Sequence, residues 1–343
     1  MFALKKIDMF SHILVPKFWQ RVDETISAPQ RSQRIGGYEF LREMHPELHD
    51  LDRRFREMDR HGDYRQVVTL PCPPLEELGP PATAVELARL ANEELAELVG
   101  KHPDHFVGFA AALPLSDVEA SLAEMDRAID DLGALGVQMY TSVQGKPLTS
   151  PELEPLFEQL NQRQCPLWIH PDRNYTWPDY RAEESSRYEI FWSLGWPYET
   201  AVCLSRLVYD GYLERYPNLR IISHHGAGGV PFFSERLAFE PILEDRADVG
   251  EARQTKPLDY FRKIYSDTAM FGAQHAVRCV VDFFARDHVV FGTDWPFGEH
   301  FIRETIANVE ALELSQADTA AIFHGNAERL LNQPAAARTA RNV

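Results

Sequence analysis

Four short apolar runs each stop on a side chain that can bind a metal or move a proton. They are Asp8-Met9-Phe10-Ser11-His12, Trp168-Ile169-His170, Ile221-Ile222-Ser223-His224 and Val290-Phe291-Gly292-Thr293-Asp294. A polar group just past a buried strand has left the core that the strand builds. It then needs a cation, a hydrogen-bond partner or water. A single histidine so placed is more often structural, but three histidines and an aspartate at four run ends make a candidate metal site. Imidazole with carboxylate suits zinc, manganese or iron. His12, His170 and Asp294 supply the three protein ligands that a catalytic metal with an open position needs. His224 is then free to act on substrate or on metal-bound water, so His224 and Asp294 are the candidate catalytic pair.

Other residues flank this set. His225 follows His224 and is expected to point elsewhere, in a supporting or substrate-binding role. Asp267 ends the run Tyr265-Ser266-Asp267 and could orient a neighbour as easily as act itself. Gly226, Gly228 and Gly229 allow a tight turn after His224. No Gly-Lys-Ser/Thr follows them, so this is not a phosphate loop.

Eight strand-like runs carry these residues: Lys6–Phe10, Gln66–Leu70, Phe106–Ala112, Gly136–Tyr140, Pro166–His170, Leu219–Ser223, Lys263–Asp267 and His288–Gly292. Several are continuously apolar, as strands of a parallel sheet covered on both faces would be. Helical stretches separate most of them: Ala84–Lys101, Ser116–Leu132 (with Ser116 and Glu119 as a capping box), Ser150–Gln164, Ala201–Tyr216 and Gly272–Ala285. This alternation predicts an α/β fold, a distorted TIM (β/α)8 barrel, in one domain over residues 1–333, with an Ala/Arg-rich flexible tail at 334–343. Two insertions, about 13–60 after strand 1 and 171–199 after strand 5, are expected to lie over the face that carries the site. The second is rich in aromatics and holds Arg173, Arg181 and Arg187. Read as a lid, it offers Trp177, Trp196 and Arg173 to a substrate, with Trp295 and His225 from the later strand ends.

Length and charge narrow the classes. The chain of 343 residues, 44% hydrophobic, is long enough for such a barrel. With 52 acidic against 35 basic residues its net charge is −17, and no basic stripe marks a nucleic-acid binder. An anionic substrate would need a local basic pocket within that field. The cysteines, Cys72, Cys165, Cys203 and Cys279, form no C-x-x-C pair and read as reduced thiols. The start MFALKKIDMF is too short and charged for a signal peptide, and no apolar run reaches membrane-spanning length. A cytoplasmic protein is expected.

The segments SHHGAGGVPFFSERL, YSDTAMFG and VVFGTDWPFG, with HGNAERLL near the end, resemble the amidohydrolase-related family that includes aminocarboxymuconate semialdehyde and γ-resorcylate decarboxylases. That resemblance implies a TIM barrel with one divalent metal, zinc first and manganese second. It also implies non-oxidative decarboxylation of a small unsaturated or aromatic acid, with hydrolysis or hydration by a metal-bound water as the alternative. A homodimer or higher homo-oligomer is implied too. In the family's strand-1 pattern, Asp-x-His-x-His or its Glu variant, Asp8 matches the first residue and His12 the last. His170 and Asp294 match ligands, and His224 the catalytic histidine. Phe10 stands where a ligand is expected. The site then holds metal with three ligands and water, recruits Asp8 as a further ligand, or binds metal weakly. A metal-free binding protein is the non-enzymatic alternative.

Overall fold

The computed structural model describes residues 4–25, 42–238 and 256–332. The expected tail at 334–343, and part of the expected insertion at 13–60, lie outside these residues. Seven strands pair in parallel in sequential order: β1 (Lys6–His12), β2 (Tyr64–Thr69), β3 (Phe106–Ala112), β4 (Gly136–Tyr140), β5 (Pro166–His170), β6 (Arg220–Ser223) and β7 (Tyr265–Ser266). β4 and β5 are buried at every position, as strands of a parallel sheet covered on both faces are, with Gln138 and His170 the polar residues they carry inside.

The expected eighth strand, His288–Gly292, is not a regular strand. It is nonetheless what closes the barrel. On one side Ser266 N donates to His288 O and Val290 N to Ser266 O, both at 2.9 Å. On the other, Met9 N donates to Phe291 O (2.8 Å), Asp294 N to Phe10 O (3.0 Å) and His12 N to Trp295 O (2.9 Å). Gly292 is required for this closure, because a Cβ there would lie 2.9 Å from Asp267 Cβ.

The interior of the barrel is filled by Ile7, Met9, Phe10, Val67, Ala110, Trp168, Ile222 and Val290. Trp168 is fully buried and satisfies its indole N–H on Met9 O at 2.7 Å. A larger apolar layer lies between the strands and the surrounding helices, among them α1 (Pro16–Thr25), α2 (Leu51–Met58), α3 (Pro81–Lys101), α4 (Val118–Asp130), α5 (Glu154–Arg163), α6 (Trp196–Tyr209) and α7 (Gln274–Phe284). No helix among the described residues is long and apolar enough to cross a membrane. The four cysteines are free thiols.

Three local expectations change. The cap of α4 is Asp117, whose carboxylate accepts from Ala120 N at 3.0 Å, in place of the Ser116 box. The helix expected over Ala201–Tyr216 starts earlier, at Trp196. It ends at Tyr209, before Gly211, whose φ of 75° no helix continues. The irregular segment after β5 is correspondingly shorter than 171–199, since a turn of wider helix (Phe191–Gly195) leads straight into α6.

Candidate active site

The four histidines at the carboxyl ends of β1, β5 and β6 are each held by one ring nitrogen. His12 Nδ1 pairs with Thr69 Oγ1 at 2.9 Å, and His170 Nδ1 with Pro171 O at 2.7 Å. His224 Nδ1 makes a very short bond to Asp267 Oδ2, and His225 Nδ1 pairs with Ala269 O at 3.1 Å. A carbonyl only accepts, so Nδ1 of His170 and His225 carries the proton and Nε2 is left bare in the neutral ring. Partners of this kind fix the tautomer of metal-ligating histidines.

The free edges meet at Asp294. Its Oδ1 lies 3.0 Å from His224 Nε2 and 3.2 Å from His12 Nε2, and its Oδ2 lies 3.9 Å from His225 Nε2. The His12 approach is too poorly aligned to be a hydrogen bond, which leaves His12 Nε2 a fully buried nitrogen with no hydrogen-bond partner. Donor atoms of His12, His170 and His224 lie within 4.8 Å of one another, as do those of His224, His225 and Asp294. An orphaned buried lone pair beside a carboxylate and oriented imidazoles is a donor set that fits a divalent cation.

Electrostatics agree with this placement. Burial lowers His12 and His170, the latter well below the ordinary histidine value, so both are neutral and free to ligate. Burial, helped by His224, takes His225 down to about 4. Burial also acts on His224, but the carboxylates of Asp267 and Asp294 outweigh it and raise His224 to about 9. Burial alone would push Asp294 up, yet the surrounding imidazoles hold it well below the usual carboxylate range.

The local backbone is built for these positions. Asp294 sits at φ 60°, and His225 and Ala227 at φ 51° and 60°, conformations that non-glycine residues adopt at a cost and that concentrate at functional sites. Asp267 Oδ1 accepts from Gly226 N (3.0 Å) and Ala269 N (3.2 Å), so the carboxylate that orients His224 also pins the turn after it.

Asp8 lies apart from the imidazole cluster. Its carboxylate accepts four hydrogen bonds: from Phe10 N and Thr293 N at 3.1 Å, and from Tyr64 Oη and Thr293 Oγ1 at 2.5 Å. It ties the turn carrying Asp294 to β1. Burial still raises it to about 6. Phe10 stacks face to face on His224, with centroids 3.8 Å apart and 9° between planes. That ring fills the space beside His224 where the sequence pattern lacks a donor.

Of the expected substrate contacts, Trp196 reaches the site, its ring 5.6 Å from that of His170. His225 stacks on His224 at 3.8 Å. Trp177 is one layer out, under the Arg173 guanidinium at 5.6 Å, and Arg173 is itself paired with Glu199 at 2.7 Å. Trp295, 2% exposed, packs on Arg54 at 4.8 Å. Arg181 and Arg187 lie exposed at the rim.

Several supporting residues were not legible beforehand. Arg54, fully buried on α2, donates to His12 O at 2.8 Å and to Gln66 Oε1 at 2.6 Å, bracing β1 from behind. Cys72 Sγ lies 3.5 Å from His170 Nδ1, and the Phe297 ring 5.3 Å from that of His12. Thr69 closes β2 and could have been found by the strand-end rule. Arg54 carries no local signal at all.

Comparison with known proteins agrees with this architecture. The amidohydrolase family model matches residues 7–333. The chain is 28% identical over 340 residues to a 2-amino-3-carboxymuconate-6-semialdehyde decarboxylase of Dictyostelium discoideum, covering 95% of this chain and 91% of that one. It is 32% identical over 301 residues to a γ-resorcylate decarboxylase of Polaromonas sp., covering 84% and 89%. Among solved structures, a dihydroxybenzoic acid decarboxylase from Polaromonas sp., with bound manganese and the inhibitor 2-nitroresorcinol, superposes with a TM-score of 0.76 at 26% identity, covering 96% of this chain and 97% of that one. A barrel whose strand ends bring three imidazoles to the Asp294 carboxylate and a fourth, His170, beside them, matched by the family model along almost its whole length, places the chain in the amidohydrolase family.

Proposed function

We propose that this protein is a metal-dependent, non-oxidative decarboxylase of a small aromatic or unsaturated carboxylic acid. The observation that carries the reading is the cluster of oriented, mostly neutral imidazoles around Asp294, with His12 Nε2 left unpartnered at its centre. The decarboxylases among its relatives favour this reaction over the hydrolytic alternative.

His12, His170 and Asp294 are the residues we assign to the metal, zinc or manganese. When bound there, a divalent ion supplies Lewis acidity and a template for a carboxylate and a neighbouring oxygen. His224 is the assigned acid. Asp267 keeps its Nδ1 protonated, and the charged ring carries a second proton at Nε2, facing the site. As the bond to the carboxylate carbon breaks, its electron pair stays on the substrate carbon. The His224 proton forms the new C–H bond there, carbon dioxide leaves, and solvent reprotonates the ring. Trp196 and His225 flank a planar substrate. Arg173 and Trp177 support the wall behind Trp196, and Trp295 packs on Arg54 on the β1 side.

A homodimer in the cytoplasm completes the reading. Tyr198 (62% exposed) and Val202 share one face of α6, and Leu194 (68%) and Phe232 (77%) are large exposed apolar side chains as well. A stable dimer buries ~800 Å² per partner, and exposed apolar and aromatic side chains are what such an interface covers. A second copy is the occupant their apolar character fits. The one-domain reading of residues 1–333 accords with the extent of the family match.

The test is direct. Protein reconstituted separately with zinc and with manganese is offered a panel of hydroxybenzoates and muconate-type acids. Release of carbon dioxide with solvent deuterium at the vacated carbon is expected. No release with either metal would overturn the proposal.

A further inference from the structure

Phe10 is the one benzene ring packed directly on the imidazole of His224 among the described residues, and both of its halves are committed to the site. Its backbone ties together the two aspartates: Phe10 O accepts from the Asp294 backbone N at 3.0 Å, and Phe10 N donates to Asp8 Oδ1 at 3.1 Å. Its ring, wholly buried, lies flat on His224. His225 covers the opposite face of His224 at 3.8 Å and 20°. His224 is thus clamped on two faces by rings and on two edges by Asp267 and Asp294. The pairing of β1 with β2 slips in register between Asp8 and Ser11, and an irregularity of this kind re-aims the side chains beside it. Asp8 cannot supply the donor that Phe10 lacks, because its oxygens already accept four hydrogen bonds.

We propose that Phe10 is a positioning residue that closes the β1 side of the site to coordination and holds His224 by stacking, so that the metal takes its protein ligands from His12, His170 and Asp294 alone. The inference rests on the metal-site reading above.

Two variants and two readouts test it on the protein alone. Manganese affinity is measured by competition with a chelator, and the His224 ring is followed by proton–nitrogen NMR of histidine-labelled protein. Phe10→His adds a donor at the apolar side and should tighten manganese binding at least tenfold. Phe10→Leu removes the stack without adding a donor. It should leave manganese affinity within threefold of the parent, while the His224 ring protons lose their upfield stacking shift. With a turned-over substrate, Phe10→Leu should lower kcat tenfold or more with little change in KM. Unchanged affinity in Phe10→His, or unchanged His224 signals in Phe10→Leu, overturns the proposal. Metal binding and NMR need no substrate, so a failure of the decarboxylase reading leaves this test intact.

Discussion

Asp267→Asn tests the electrostatic core of the site most sharply. Asp267 is fully buried and accepts from Gly226 N, Ala269 N and His224 Nδ1. The amide can keep the two backbone bonds through its oxygen but presents N–H₂ to an imidazole N–H. His224 then loses one of the two carboxylates that raise it to about 9 against burial, from an ordinary value of 6.5. Raising the group from 6.5 to about 9 corresponds to about 3 kcal/mol, shared between Asp267 and Asp294. Removing one partner of a buried pair also leaves a desolvated group unpaired, so about 2–4 kcal/mol is expected at pH 7. The pH dependence follows from the raised value. Stability that comes from binding the His224 proton is fully present below about 6.5 and disappears as pH rises through about 9. Urea unfolding of metal-free protein should therefore show a loss of stability between pH 7 and 10 that is larger in the parent than in the variant, which keeps Asp294, so the gap between the two shrinks with pH. In the metal-loaded enzyme, kcat should fall by at least a hundredfold. A gap equally large at pH 7 and pH 10 would refute the reasoning, since it would make Asp267 a hydrogen-bonding strut with no ionic role.

Other perturbations probe the surrounding structure. Asp294→Asn should abolish the stabilisation by added manganese or zinc, which in the parent should reach about 2.7 kcal/mol at a hundred times Kd. Thermal shift against metal concentration reads this. Thr293→Val deletes a donor to Asp8 and an acceptor for Trp295 N, and should destabilise by about 2–3 kcal/mol in urea titration. Glu76 is 4% exposed with Oε1 unpartnered, and burial raises it to about 7. The cost of ionising it in the folded state builds up as pH rises from about 4.5 to about 7 and is complete above that, so Glu76→Gln should stabilise by about 1–3 kcal/mol at pH 8 and by nothing at pH 4. Sedimentation of a Tyr198→Glu, Phe232→Glu double variant should report monomer where the parent is a dimer.

Strand-end reading carried far here because barrel geometry is periodic. Apolar runs ending on His12, His170, His224 and Asp294 were visible as a pattern, and a closed parallel sheet brings such ends together whatever lies between them. The extents of β3, β4 and β5 were legible to the residue, since each is a short, largely apolar run bounded by Gly, Pro or polar residues close by. The last strand was harder. Its hydrogen bonds come almost entirely from β1 and β7, so nothing local distinguishes it from an extended loop. The cap at Asp117 lost out to Ser116 for a similar reason, because either could serve and only the final backbone angle selects one.

Residue chemistry alone decided that this chain has a site rich in imidazole with a carboxylate, and roughly which strands bear it. Those facts depend on side-chain type and on the period of the strands. Tertiary structure decided the division of labour. Asp8 and Asp294 are both aspartates at strand ends, yet Asp8 is consumed by Tyr64, Thr293 and the Phe10 amide, while Asp294 faces three histidines. Phe10 reads in sequence only as a missing donor, whereas in the fold it is the ring on which His224 rests. Arg54, 42 residues from the His12 carbonyl that it holds, has no meaning until the barrel closes. The physical reason is the same in each case. A buried polar group takes its role from the partners that satisfy it, and those partners come from remote parts of the chain.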